Sequence, residues 1–265
     1  MCGRYASFTS DQDLADEFAI AEIADDARLL GPSWNVAPTD PVRIVVERAP
    51  RGSADAAPVR SLQVARWGLV PSWAKDPGVG PRMINARAET LLDKAAFAKP
   101  LAARRCLVPA DGYYEWQKLP GPGRQRKQPW FIRAASGPTA FAGLYEFWRD
   151  RSRADDDPER WLVSTTIVTT AAPSGATVAD GTELAAIHDR TPAVLPRDVW
   201  DAWLDPATSA DEAHALVARH ADRLVAHRVA AGVGNVANDS PANVEPVDVE
   251  PVDVEPVDPA AGQPA

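Results

Sequence analysis

The run Trp-Leu-Val-Ser-Thr-Thr-Ile-Val-Thr-Thr at 161–170 is so dense in β-branched side chains that it reads as a strand. It has company. Strand patterns recur at 42–47, 61–70, 106–108, 112–117, 130–133, 139–147 and 224–229. Turn chemistry separates them at Asp76-Pro77-Gly78, Pro109-Ala110-Asp111 and Gly232-Val233-Gly234-Asn235. Helical patterns are fewer. One starts at Thr9-Ser10 with Leu14 and Phe18 four apart, and a second grows out of 83–90 and runs through Phe97. Two more cover 196–204, where Pro196 suits a first turn, and 211–220. Strands without regular strand–helix alternation predict an α+β fold: one domain with a largely antiparallel, β-barrel-like core and a few flanking helices.

The end of the chain differs in kind. Val-Glu-Pro-Val-Asp occurs three times in succession, at 244–248, 249–253 and 254–258. Proline at every fifth position with repeated acids builds no core, so residues 239–265 are expected to form an acidic, extended, disordered tail behind a domain of residues 1–238. Seven acids and no Lys or Arg lie after Asn238, so a net charge of −9 for the chain leaves only −2 on the domain. A near-neutral body with mostly Arg as its cations does not exclude a nucleic-acid partner. No apolar stretch is long enough to span a membrane, and the start lacks a charged-then-apolar signal pattern, so a cytoplasmic protein without a membrane partner is expected. Cys2 and Cys106 are the only cysteines, which excludes a disulfide framework and a paired-cysteine metal site; Cys106 reads as an inert buried thiol. The chain has no glycine-rich phosphate loop, zinc spacing or nucleophile elbow, which argues against a metal or cofactor.

Candidate chemistry begins at Met1-Cys2-Gly3-Arg4-Tyr5. Loss of Met1 would make Cys2 an α-amine and a thiol on one residue, which can take an aldehyde to an imine and then to a five-membered thiazolidine. Ordinary pKa values, about 8 for the amine and about 8.5 for the thiol, keep both nucleophiles in reach near neutrality. The bland alternative is a second residue leading into a short strand. His188, after a Gly- and Ala-rich loop, suits proton transfer or a hydrogen-bonded structural role. Glu115, in Tyr113-Tyr114-Glu115-Trp116, shares a strand face with Tyr113, where a carboxylate among aromatics fits a general acid or a salt-bridged core acid. Asn85 either orients a substrate oxygen or caps the helix that follows. Trp67, Trp73 and Trp116 lie near Arg66, Arg82 and Arg87 in sequence, an interleaving suited to stacked bases and gripped phosphates; Trp161, Trp200 and Trp203 read as core. His214 and His220 read as solvated, and His227 is assigned no role.

Several ordered motifs resemble the SRAP (SOS-response-associated peptidase) family of abasic site processing proteins. They are Met1-Cys2-Gly3-Arg4-Tyr5, Asn35-Val36-Ala37-Pro38, Trp67-Gly68-Leu69-Val70-Pro71-Ser72-Trp73, Ile84-Asn85-Ala86-Arg87, Asp111-Gly112-Tyr113-Tyr114-Glu115-Trp116, Ile187-His188-Asp189-Arg190 and Val233-Gly234-Asn235-Val236. The resemblance implies a sensor of abasic sites in single-stranded DNA that crosslinks to them through Cys2 by lyase-type imine chemistry and shields the lesion during the DNA damage response. It further implies that Asn85 holds the opened sugar or the N-terminal amine, that Glu115 assists proton transfer, and that His188 serves ring opening. It assigns DNA contacts to Arg4, Asn35, Pro38, Trp73, Arg87, Trp116 and Arg190. It implies a monomer, associated with the nucleoid when bound to DNA. A thiol peptidase with Cys2 as nucleophile and His188 as base is the alternative, followed by a non-covalent binder of single-stranded DNA.

Overall fold

A computed structural model describes residues 2–49, 56–121, 125–173, 176–178, 181–219 and 224–247. In chain order the elements are β1 (Tyr5–Ser7), α1 (Asp11–Phe18), β2 (Glu22–Ile23), α2 (Asp25–Arg28), β3 (Ser33–Val36), β4 (Pro41–Arg48), β5 (Val59–Trp67) and β6 (Asn85–Arg87). Then come α3 (Ala95–Ala103), β7 (Arg105–Ala110), β8 (Gly112–Lys118), β9 (Lys127–Ala134), β10 (Thr139–Arg149), β11 (Trp161–Ala171) and α4 (Leu184–Ile187). β12 (Arg190–Pro192), α5 (Trp200–Leu204), α6 (Ala210–Val217) and β13 (Leu224–Arg228) complete the set.

β5, β4, β7, β10 and β11 pair antiparallel in that order, and β11 then runs parallel beside β5 with Ser164 opposite Arg66. That last pairing closes a five-stranded barrel. β12 and β6 add to β11, and a second sheet runs β13-β9-β8-β1-β3. The protein is an α+β single domain, as the strand-rich, non-alternating pattern predicts.

Strand parity divides the core. Val42, Ile44 and Val46 of β4 join Trp67, Cys106, Phe141 and Ile167 with Tyr5, Tyr113 and Trp130 of the second sheet. Val45, Leu62, Leu107 and Val168 point the other way, against Phe18, Leu101, Trp203 and Val217 of the helices. Barrel strands buried on both faces explain why 44–46 is an unbroken apolar run rather than an alternating one.

The helix at Thr9-Ser10 forms as expected, with Ser10 accepting the Asp13 N–H at 3.2 Å, a cap of about 1 kcal/mol. Four local expectations are corrected. Residues 85–87 do not lead into a helix: they form β6, parallel to β11, because pairing with Ile167 to Thr169 outweighs the weak local preference of Asn-Ala-Arg, and α3 starts at Ala95. His188 does not follow a bare loop but ends the single turn α4. Trp161 is exposed at the start of β11, while Trp200 and Trp203 are buried as expected. His214 is half-buried rather than freely solvated, with its Nε2 2.9 Å from the Ala88 carbonyl. Residues 50–55, part of the expected loop at 50–58, lie outside the described residues, as do His220 and residues 248–265 with the second and third repeats.

The residues just before that point are bound to the domain. Asp239 accepts the Trp34 N–H at 2.6 Å, Asn243 is buried and donates to the Asn238 carbonyl, His227 Nε2 meets the Val244 carbonyl at 2.8 Å, and the Val247 N–H reaches Arg228 O at 3.0 Å. Relative to a chain ending after Val247, one ending after Asn238 is therefore expected to be less stable by about 4 kcal/mol, at about 1 kcal/mol per lost bond. Thermal unfolding of the two truncations checks this.

Candidate active site

The start of the chain is threaded between β3 and β8. Tyr5 lies opposite Val36 on one side and Tyr113 on the other, and the Tyr114 N–H donates to Arg4 O at 3.0 Å. Asp111, assigned no role from sequence, anchors the exit of β1 by accepting the Phe8 and Thr9 N–H groups. Cys2 is left fully buried among Tyr5, Trp67 and Tyr113. Burial pushes its thiol well above the ordinary range, and the charge of Glu115 adds to the rise. Cys106, buried as expected, is pushed up to about 12 by desolvation.

Asn85 reaches Cys2 because β6 is a parallel addition to β11. Ala86 is buried, so alternation turns Asn85 and Arg87 to the other face. The approach of 77–84 to the barrel depends on Gly68, whose φ of +126° admits few side chains and where a Cβ would lie 2.7 Å from Gly80 O. Leu69 N–H then donates to Met83 O at 3.1 Å and Trp67 Nε1 to Ile84 O at 2.9 Å. In that frame Asn85 Nδ2 donates to Cys2 O at 2.7 Å, and Asn85 Oδ1 is buried with no hydrogen-bond partner among the described residues.

Glu115 is buried on β8, facing the same way as Tyr113, while Tyr114 and Trp116 join Phe131 and Val233 on the opposite face. Desolvation raises its pKa from 4.5 to about 7, with the charge of Asp189 adding to the rise and the positive chain terminus opposing it. His188 stands beside Asp189, on a turn that packs against β8. Its Nδ1 accepts the Arg190 N–H at 3.0 Å, so the neutral ring carries its proton on Nε2. Asp189, 3.0 Å from the same nitrogen and exposed, then acts as a charge and not as a second hydrogen-bond partner. Burial lowers the His188 pKa, which keeps the ring neutral near pH 7.

Arg4 donates to Asn35 Oδ1, Val233 O and Gly234 O at 2.7–3.3 Å, and the buried Asn35 donates to the carbonyls of Val233, Asn235 and Asn238. These acceptors are neutral, so the guanidinium keeps its charge for other anions. Pro38 sits in the next turn, where Thr39 holds a φ of +78°, uncommon for a β-branched residue, and gives its N–H to Trp67 O at 2.8 Å. Arg87 is exposed, whereas Arg190 is engaged by both oxygens of Glu89 and by Thr169 O. Trp73 is 65% exposed beside a surface cavity of about 450 Å³ shared with Trp148 and Lys75, and Trp116 is half-buried behind Glu115. Cys2, Asn85, Glu115 and the His188 segment thus converge, Arg4 and Asn35 flank them, and Trp116 lies on the opposite face of β8. Glu89 and Thr191 carry no mark in the sequence because nothing local ties them to Arg190 or Tyr113, and Asp189, though it stands in a motif, shows no sign there of its reach to Glu115.

A barrel-cored α+β domain that buries a cysteine at position 2 beside an asparagine and a carboxylate is a distinct class of protein. Residues 1–236 match the family described as SOS response associated peptidase (SRAP), and the chain belongs to that family. It is similar to the abasic site processing protein YoqW of Bacillus subtilis (strain 168), 36% identical over 244 residues that cover 91% of this chain and 97% of YoqW. It is 31% identical over 236 residues to the abasic site processing protein HMCES of Pongo abelii, covering 79% of this chain and 64% of that protein. Among solved structures, a protein from Bacteroides thetaiotaomicron superposes with a TM-score of 0.72 at 23% identity, over 93% of this chain and all of that one. A phage-related protein from Bordetella bronchiseptica gives 0.60 at 28%, over 86% and 94%.

Proposed function

We propose that this protein captures abasic sites in single-stranded DNA as a thiazolidine on Cys2, after Met1 is removed. The observation that carries the reading is the grip of Asn85 on residue 2, beside a carboxylate with a pKa near 7. The names of YoqW and HMCES support the substrate class.

The open-chain sugar presents an aldehyde. The Cys2 amine adds to its carbon, Asn85 Oδ1 accepting an N–H of that amine. Glu115, whose burial raises its pKa to about 7, gives a proton to the departing hydroxyl, and water leaves as the C=N bond forms. The thiol then adds across that bond: sulfur joins carbon, its proton passes through the Glu115 carboxylate, and nitrogen ends as an amine. Neutral His188 assists opening of the sugar ring. Closing the thiazolidine removes the electron sink that β-elimination of the strand requires. Intact mass spectrometry after incubation with an abasic oligonucleotide tests this, with the DNA mass less one water as the expected gain. Peptide release without that gain would favour a thiol peptidase instead.

Arg4, Arg87 and Arg190 serve the phosphates, with Asn35, Pro38 and Trp73 shaping the path of the bases. Arg190 reaches a phosphate only by releasing Glu89, so Glu89 competes with DNA. Glu89→Gln is expected to tighten binding of unmodified single-stranded DNA several-fold and to steepen its salt dependence by about 0.7 in log K per log salt. Fluorescence anisotropy at several salt concentrations measures both; an unchanged slope would place Arg190 outside the DNA contact.

A further inference from the structure

We propose that Tyr113 and Thr191 form a positioning pair, fixing the Glu115 strand against the His188 segment so that carboxylate and imidazole act as one proton-handling unit. This rests on the function proposed above and assigns a role to two buried residues that the capture chemistry leaves unused. Tyr113 links three of the four segments of the site. By register it faces Tyr5 on β1, the strand that presents Cys2; along β8 it stands two residues before Glu115 on the same face; and its Oη lies 2.7 Å from Thr191 Oγ1 on β12, three residues after His188.

Both partners are fully enclosed, at 0% and 2% exposure. Burial drives the phenol well above its ordinary pKa, so it stays a neutral donor at every working pH. The direction of the bonds follows. Tyr113 donates to Thr191 Oγ1, and that hydroxyl donates to Pro192 O at 3.3 Å. The ring is held independently, edge-on to Phe141 at 5.9 Å, so the hydroxyl can be removed without emptying the core. Tyr113→Phe also leaves the Thr191 hydroxyl its Pro192 acceptor. The substitution therefore loosens β12 from β8 while sparing the fold.

Two measurements on the full chain test the pair. The first is capture of an abasic oligonucleotide by the wild-type protein, Tyr113→Phe, Thr191→Val, Thr191→Ser and the double variant Tyr113→Phe/Thr191→Val. Each variant that loses the bond should be about tenfold slower, a fraction of the ~100-fold that a 1 Å misplacement can cost. Thr191→Ser keeps the hydroxyl and should stay near the wild-type rate, and the double variant should be no slower than either single one. The second is an NMR titration of the His188 ring, on which the charges of Asp189, Lys118 and the chain terminus bear. In Tyr113→Phe the midpoint should rise toward the ordinary imidazole value of about 6.5 as the segment opens to water. A His188 curve that superimposes on the wild-type curve overturns the pairing, as does a double variant whose losses multiply. The titration needs no DNA. A wild-type chain that captures nothing would defeat the proposed function, while the His188 curves still decide whether the pair positions the ring.

Discussion

Replacing Cys2 with alanine is expected to abolish the heat-stable adduct with abasic DNA and to leave slow strand cleavage in its place. The alanine protein keeps an α-amine at the same position, since Asn85 grips the main-chain carbonyl of residue 2 and not its side chain. An imine can still form, but no sulfur is there to close on it. An unclosed imine either returns to aldehyde or draws electrons from the sugar and breaks the strand. Gel electrophoresis after heating separates the three products, and a heat-stable adduct formed by Cys2→Ala would defeat the thiazolidine assignment. Retention of Met1 should mimic the loss, because it buries the amine of residue 2 in a peptide bond; the mass of the purified chain reports which form is present.

Glu115→Gln should separate chemistry from stability by moving them in opposite directions. Capture at pH 7 is expected to fall roughly 100-fold, the low end of what a positioned acid–base group supplies, and the rate should lose its dependence on pH around 7. Stability should change the other way. The folded-state pKa of Glu115 is raised, so the folded protein binds this proton more tightly than the unfolded chain does. The resulting stabilisation is fully present below the ordinary value of 4.5 and is lost as pH rises through about 7. That difference corresponds to about 3 kcal/mol of stability given up between acid and mildly alkaline solution. Glutamine carries no such proton, so the variant should melt higher than the wild type at pH 8 and show a flatter profile. Denaturant unfolding at pH 5 and 8 measures the effect; equal slopes with pH in the two proteins would mean that Glu115 is ionised throughout.

Elements that declare themselves through local chemistry are legible in the sequence. β11 follows from its β-branched run, α1 from Ser10 and its apolar spacing, and the two faces of β8 from alternation. β6 is not legible, because Asn-Ala-Arg becomes a strand only when β11 is beside it. The same holds for the site. The motifs place Cys2, Asn85, Glu115 and His188 on four separate segments. Their convergence depends on the parallel pairings of β5 and β6 with β11 and on β1 lying next to β8, contacts between residues far apart in the chain. The exposure of Trp161 is hidden for a simpler reason: an aromatic at a strand end carries no sign of which side faces water.

The burial of Cys2 also sets a schedule. The slot that receives β1 is built from Val36 and Tyr113, and the lock on Arg4 is complete only when the carbonyls of Val233 and Gly234 join Asn35. At about 5–20 residues per second, Val233 leaves the ribosome's catalytic centre about 10–50 seconds after the first residue. Throughout that interval the head of the chain has no finished place to dock, and an aminopeptidase can reach it; afterwards residue 2 is buried and held at its carbonyl by Asn85. On the proposed mechanism, then, whether a molecule can ever capture DNA is decided during translation, by a race between trimming of the nascent chain and completion of the polypeptide that seals it.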